Sequence, residues 1–162
     1  MEKKFILTDK FVINSFGIKL FQIKCTKSFK YAQKGDFGGY VEKEGNLDQE
    51  NDAWVSGDAW VSDNARVSGD AWVSGNARVS GDADIENDNE HCGFDGFGSC
   101  NRHTHAYMTK EKKVEIICGC FRGSIEEFEK KVEETHSGTV YEKQYKSIIN
   151  VIKIKFGLTD FT

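Results

Sequence analysis

The side chains with the widest chemical reach in this 162-residue chain are five cysteines and four histidines, and all but Cys25 fall between His91 and His136. Zinc takes thiolate and imidazole ligands in tetrahedral sets. Cys118-Gly119-Cys120 and His103-Thr104-His105 could face one another across a hairpin, with His91, Cys92 and Cys100 close in sequence. The spacing argues against such a site. Paired Cys-x2-Cys knuckles are missing, and Cys-x-Cys on an extended strand points both thiols to one face. No metal and no cofactor are therefore expected. Cys118, Cys120, His103 and His105 are the weak candidate ligands, and the competing reading makes the two cysteines small core residues and the two histidines exposed. Cys100 or Cys120 could meet His103 or His136 as a nucleophile and its base, but no local signature supports that pairing. Arg122, just before Ser124 at the start of a helix, could hold a phosphate or carboxylate at the helix N-terminus. The competing reading pairs Arg122 with Glu126 or another acid of that helix.

The elements that must position these groups surround a repeat. From Ala53 to Ile85 the chain repeats every six residues: Ala53-Trp54-Val55-Ser56-Gly57-Asp58, then Ala59-Trp60-Val61-Ser62-Asp63-Asn64, and so on to Ala83-Asp84-Ile85. A small and an aliphatic residue flank a variable position, and three turn-formers follow, which is a very short strand and a turn. Gly at this period leaves no helical face. A unit this short cannot bury its own apolar face, so coils must stack. The unit resembles the hexapeptide repeat of left-handed parallel β-helices, in which three hexads make one coil of 18 residues. That likeness implies Ala and Val pointing inward and the residue between them outward. Leu47 and Val41 continue the Ala column backwards, while Gln49 and Lys43 interrupt the Val column, so the first coil is irregular. Two to three coils fit residues 38–88.

The 18-residue rule stacks outward side chains: Trp54 with Trp72, Trp60 with Arg78 for a cation–π contact, and Arg66 with Asp84 for an ion pair. All three tryptophans of the chain take outward positions. Such a ladder marks either an interface or a face covered by a flanking segment. Asp58, Asp70, Asp82, Asn64 and Asn76 share one turn position, where their side chains can accept hydrogen bonds from the turn backbone. The functional reading of the same residues is an acidic stripe that imitates nucleic-acid phosphates. The structural role is the favoured reading of the turn position, and the acidity concentrates in the same segment: residues 1–45 carry net +4, residues 46–90 net −9 and residues 91–162 net +1.

Around the repeat, residues 4–25 read as a β-hairpin with strands at Phe5–Leu7, Phe11–Ile13 and Ile18–Cys25, capping one end of the coil. Lys34–Glu42 is Gly-rich but carries no phosphate-loop pattern. Residues 88–102 read as a connector. Two strands follow at about His103–Thr109 and Lys113–Cys118, then two helices, each opened by a capping box at Ser124 and Thr139. The expected fold is thus mainly β with C-terminal α: a short left-handed parallel β-helix, capped by an N-terminal β-hairpin region and a C-terminal β-β-α-α unit. The segments are 1–37, 38–88 and 89–162. No apolar run approaches the length of a membrane span, and Met1–Leu7 lacks the features of a secretory signal. Odd cysteine usage without an export signal argues against a disulfide framework. A cytoplasmic protein is expected.

Three blocks in order carry a broader likeness. Gly35-Asp36-Phe37-Gly38-Gly39-Tyr40-Val41-Glu42-Lys43-Glu44-Gly45-Asn46-Leu47, the Ala-x-Val-Ser-Gly-Asp hexads, and Gly119-Cys120-Phe121-Arg122-Gly123-Ser124 with Glu133-Glu134-Thr135-His136 resemble a family of phage- and prophage-encoded hexapeptide-repeat proteins. The likeness implies a bacterial host cytoplasm and, by analogy with small phage accessory proteins, a role against host defences. The likeness to left-handed β-helices implies two known enzyme types, acyltransferases with a histidine near the coils and a carbonic-anhydrase branch with three zinc-holding histidines from them, and residues 38–90 contain neither His nor Cys. The expectation is therefore a non-enzymatic binding protein. Its partner would be a nucleic-acid-binding defence component, such as a CRISPR effector, occluded by an acidic coil with Trp54, Trp60, Trp72, Arg66, Arg78, Asp58, Asp70 and Asp82 at the contact. Trp and Arg are the residues enriched at interface hot spots. A homo-oligomer, dimer or trimer, is expected, and direct DNA binding is not. The alternatives are an oligomeric sponge that traps a signalling nucleotide between Trp and Arg66, Arg78 or Arg122, and a structural phage module.

Overall fold

The structure is a computed structural model that describes residues 2–159. It is mainly β, with two helices at the C-terminal end. The repeat forms β4 (Trp54–Val55), β5 (Trp60–Val61), β6 (Arg66–Val67), β7 (Trp72–Val73), β8 (Arg78–Val79) and β9 (Asp84–Ile85), preceded by β3 (Phe37–Val41). The strands pair in parallel across three hexads: Trp54 with Trp72, Trp60 with Arg78, Arg66 with Asp84. Three separate ladders result, one for each hexad of a coil. Ala and Val two residues apart point to the same side of a strand. Accordingly Ala53, Val55, Ala59, Val61, Ala65, Val67 and their counterparts through Ile85 are all buried. Gly57, Gly69, Gly75 and Gly81 take φ near +60°, which favours glycine at the turn. Asp63 adopts the same left-handed φ of 56°.

The first coil departs from the expected columns. Val41 pairs with Val61 and Leu47 with Val67, so both belong to the Val column rather than the Ala column. Two extra residues in the Asp48–Asp52 stretch cause the slip.

The N-terminal hairpin is present as β1 (Phe5–Ile13) and β2 (Lys19–Cys25). The two expected short strands merge into β1 across a bulge between Leu7 and Phe11. Asn14 closes the turn, its side-chain oxygen accepting from the amides of Phe16 and Ile18. β2 pairs antiparallel with β3, giving a five-stranded sheet in the order β1-β2-β3-β5-β8 that continues one face of the coil.

The C-terminal unit is larger than the expected β-β-α-α. Residues read as a connector form β10 (His91–Phe97), and β13 (Phe121–Ser124) lies just before the first helix. With β11 (Arg102–Met108) and β12 (Val114–Cys118) they make an antiparallel sheet in chain order. One face carries His103, His105 and Tyr107, and Tyr107 with Ile117 closes the core of the last coil. The other face, with Ala106, Ile116 and Cys118, packs on helices α1 (Ile125–His136) and α2 (Val140–Lys155). Ser124 and Thr139 cap these helices by accepting from the amides of Glu127 and Glu142. Ile125, Phe128 and Val132 on α1 meet Tyr145, Ile148, Ile149 and Ile152 on α2 at helical spacing. Among the described residues no helix is long and apolar enough to cross a membrane.

Candidate functional site

The outward ladder exists in the expected register, but the N-terminal segment covers two of its tryptophans. Phe5 and Phe29 pack edge-on against Trp54 with ring centroids 6.5 and 5.3 Å away, and Phe16 packs on Trp60 at 6.2 Å. Trp54 and Trp60 are 2% and 6% exposed, so neither offers a surface to a partner. Trp72 is different. It is 43% exposed, and Tyr31 stacks on its ring at 5.2 Å and 19°. Its indole N–H donates to Ser56 Oγ at 2.8 Å, and its backbone N–H donates to Asp88 Oδ1 at 2.8 Å. A stacked, hydrogen-bonded aromatic is pre-positioned, which lowers the entropy cost of burying it in a contact.

Beside this pair runs an open polar groove lined by Asp48, Glu50, Asp70 and Glu86, with Arg66 also in its wall. The Tyr31 hydroxyl donates to the Asp70 carbonyl at 3.2 Å, tying the aromatic pair to the groove. Arg66 stands in register with Asp84 and is exposed, but no ion pair joins them among the described residues. Asp58, Asp70 and Asp82 are exposed, and among the described residues their carboxylates accept no bond from the turns. The expected turn-bonding role falls instead to Asp63, whose Oδ2 accepts from Gly81 N at 3.1 Å.

Arg78 and Arg122 are engaged. Arg78 lies over Trp60 at 5.3 Å, as its spacing predicts, and donates to the carbonyls of Asp58 and Asn76. Arg122 donates to Asp63 Oδ2 at 2.7 Å and to Ser80 Oγ at 3.3 Å, with Phe16 beneath it at 5.7 Å. It pairs with a coil aspartate and not with a helix acid, and it latches the C-terminal sheet to the coil. Since Ser124 caps its own helix, the Arg122–Ser124 anion site is closed by the protein itself. Asp63 was the available signal: it is the one acid at the glycine position of the hexads.

The thiol and imidazole candidates for zinc are held on opposite faces of one sheet. Thr104 is the register partner of Cys118 and donates to its Sγ at 3.3 Å on the helix side, whereas His103 and His105 lie on the coil side. Strand alternation therefore parts the proposed ligands. Among the described residues no cluster of three His, Cys, Asp or Glu side chains could hold a metal ion. The histidines are also not exposed. They form a row: Asp95 Oδ1 to His103 Nδ1 at 2.7 Å, His103 Nε2 to His105 Nδ1 at 2.9 Å, His105 Nε2 to His91 Nδ1 at 3.1 Å, and His91 Nε2 to Asp88 Oδ1 at 3.5 Å. His105 gives one nitrogen to each neighbour, so no point is shared by three. Gly93 makes room for the row, since a Cβ there would lie 2.5 Å from His103 Cε1. Burial holds His105 well below its ordinary pKa, and the neighbouring imidazoles and Arg78 act in the same direction.

A further feature lies in the C-terminal unit. A cavity of about 250 Å³ opens between α1, the β12–β13 turn and Tyr145, with Arg102, Lys131 and His136 in its wall. Cys100 is exposed beside Arg102, which draws its thiol below the ordinary cysteine value. Cys120 is also exposed, while Cys118 is buried as the core reading expected. No family model and no curated protein matches the chain.

Proposed function

We propose that this chain is a non-enzymatic, phage- or prophage-type binding protein that acts in a bacterial cytoplasm by occluding the nucleic-acid site of a host defence protein, such as a CRISPR effector. The scaffold is a short left-handed parallel β-helix of the hexapeptide kind. The 18-residue register, the inward Ala and Val columns and the glycine turns support that reading. The observation that carries the function is the exposed Trp72–Tyr31 stack beside the acidic groove. Carboxylates repeated along a rigid coil offer a basic channel a phosphate-like pattern and speed encounter with it. Trp72 supplies the desolvated anchor. A dimer or trimer of this chain through Trp72 would compete for the same face. The nucleotide-sponge reading loses ground because Arg78 and Arg122 are already engaged.

The test is capture of a tagged chain's partner from a bacterial lysate, followed by competition with added nucleic acid. The expected partner is one nucleic-acid-binding protein, released by moderate salt, displaced by nucleic acid and lost with Trp72→Ala plus Asp70→Lys. Capture that ignores salt and both substitutions refutes the occlusion mechanism. Light scattering of the free protein reads the oligomeric state separately.

A further inference from the structure

We infer that the C-terminal cavity is a binding site for a small organic anion with a flat apolar body, such as a single-ring carboxylate or phosphate monoester. This site is independent of the coil face.

Charge is the first support. The chain carries 26 acids against 22 Lys and Arg, yet the cavity wall holds Arg102, Lys131 and His136 and no carboxylate. Of the five acids of α1, Glu129 pairs with Lys153 and Glu133 with Lys146, and among the described residues no ion pair joins Glu126, Glu127 or Glu134 to Lys131. The groups bearing on Arg102 are Cys100, Cys118 and Tyr145, with no carboxylate among them. Cations left without a carboxylate in a concave wall focus a positive field there.

The hydrogen-bond order is the second support. Thr104 Oγ1 donates to Cys118 Sγ at 3.3 Å, and Cys118 Sγ donates to the Tyr145 hydroxyl at 3.6 Å. Each group in this row accepts from the one before it, so the Tyr145 proton is left to donate. Tyr145 is 4% exposed and lines the cavity. Burial, with Cys118 beside it, pushes its phenol well above the ordinary value, so the hydroxyl remains a donor. A buried donor without an acceptor is costly, and an anion in the cavity would supply one.

The third support is the apolar wall. Phe121 stacks on Phe128 at 5.2 Å and 27°, and Tyr145 meets Phe128 edge-on at 5.5 Å. The volume lies just below the range typical of drug-sized ligands, which fits one ring and one anionic group. Cys120, Phe121, Thr135 and His136 belong to the C-terminal sequence block singled out above, and all four line this cavity.

The probes are phenyl phosphate, benzoate, benzyl alcohol and inorganic phosphate, titrated into the full chain by calorimetry and by amide chemical shifts. At least one ring anion is expected to bind about tenfold tighter than both benzyl alcohol and inorganic phosphate, with shifts at His136 and Tyr145. Preference between phenyl phosphate and benzoate assigns the head group, and equal binding supports the shared class. Arg102→Gln and Lys131→Gln, both at exposed positions, are each expected to weaken binding about tenfold, and Tyr145→Phe by less. Circular dichroism checks the fold of each variant, and Lys131→Gln stands alone if Arg102→Gln disturbs it. No shift at His136 and Tyr145 with about 10 mM of either ring anion overturns the inference. So does binding unaffected by Lys131→Gln, or inorganic phosphate binding as tightly as phenyl phosphate. Capture of a partner by the coil face is expected to survive Lys131→Gln, which keeps the two readings separable.

Discussion

Acidification should weaken this protein through its histidine row, and the bond distances show how. Three neutral imidazoles carry three N–H groups, but the row from Asp95 to Asp88 has four gaps to fill. If His103 donates to Asp95, His105 to His103 and His91 to His105, the gap left empty is His91 to Asp88. That gap is also the longest, at 3.5 Å against 2.7, 2.9 and 3.1 Å for the others. The distances therefore describe a neutral row whose first added proton goes to His91 Nε2. Burial lowers the affinity of all three imidazoles for a proton, with Asp88 opposing this at His91 and Asp95 at His103, while Lys155 bears on His91 and Arg78 on His103 and His105. His105 has no carboxylate to oppose its shift. The unfolded chain titrates near the ordinary value of 6.5 and the folded His105 well below it. The unfolded state thus binds more protons as pH falls, and stability is lost below about pH 6.5. Each full proton taken up on unfolding tilts stability by about 1.4 kcal/mol per pH unit, a slope that is large beside the marginal stability of a domain this size. Urea unfolding at intervals from about pH 8 to pH 5 measures it, above the range where carboxylates titrate. His105→Gln should flatten the slope, by at most about 1.4 kcal/mol per pH unit, whatever it does to the absolute stability. Equal slopes in the two proteins, or stability that rises on acidification, would refute the neutral row.

Three further outcomes follow from particular contacts. Trp54→Ala should cost about 3–5 kcal/mol in urea unfolding because Phe5 and Phe29 close over it, whereas exposed Trp72→Ala should cost under about 1 kcal/mol; similar losses would mean that the N-terminal segment does not cover the coil. Arg122→Ala and Asp63→Asn, taken with the double variant, should show a coupling energy of about 1 kcal/mol that shrinks with salt, and zero coupling would remove the latch between sheet and coil. Cys100 should react first with a disulfide reagent near neutral pH, ahead of buried Cys25 and Cys118, and Arg102→Gln should slow it because the thiolate loses its cation; an unchanged rate would contradict that pairing.

Local periodicity carried most of what was readable in the chain. The inward columns and the Trp54–Trp72, Trp60–Arg78 and Arg66–Asp84 stacks follow from the covalent spacing of the hexads alone, because coils of constant length bring fixed positions into register. The helix caps at Ser124 and Thr139 were legible because capping bonds span three residues. β10 was not, since Gly93, Gly96 and Gly98 read as a loop until β11 supplies a ladder. Exposure was not legible either. Whether an outward tryptophan meets solvent depends on distant chain, and Phe5, Phe16 and Phe29 reach Trp54 and Trp60 only through the hairpin's pairing with β3. The same holds for the partner of Arg122, the histidine row and the cavity at Tyr145. Each joins groups separated by many residues and by the alternation of strand faces, and a period encodes only the surface of its own coil, never what folds against it.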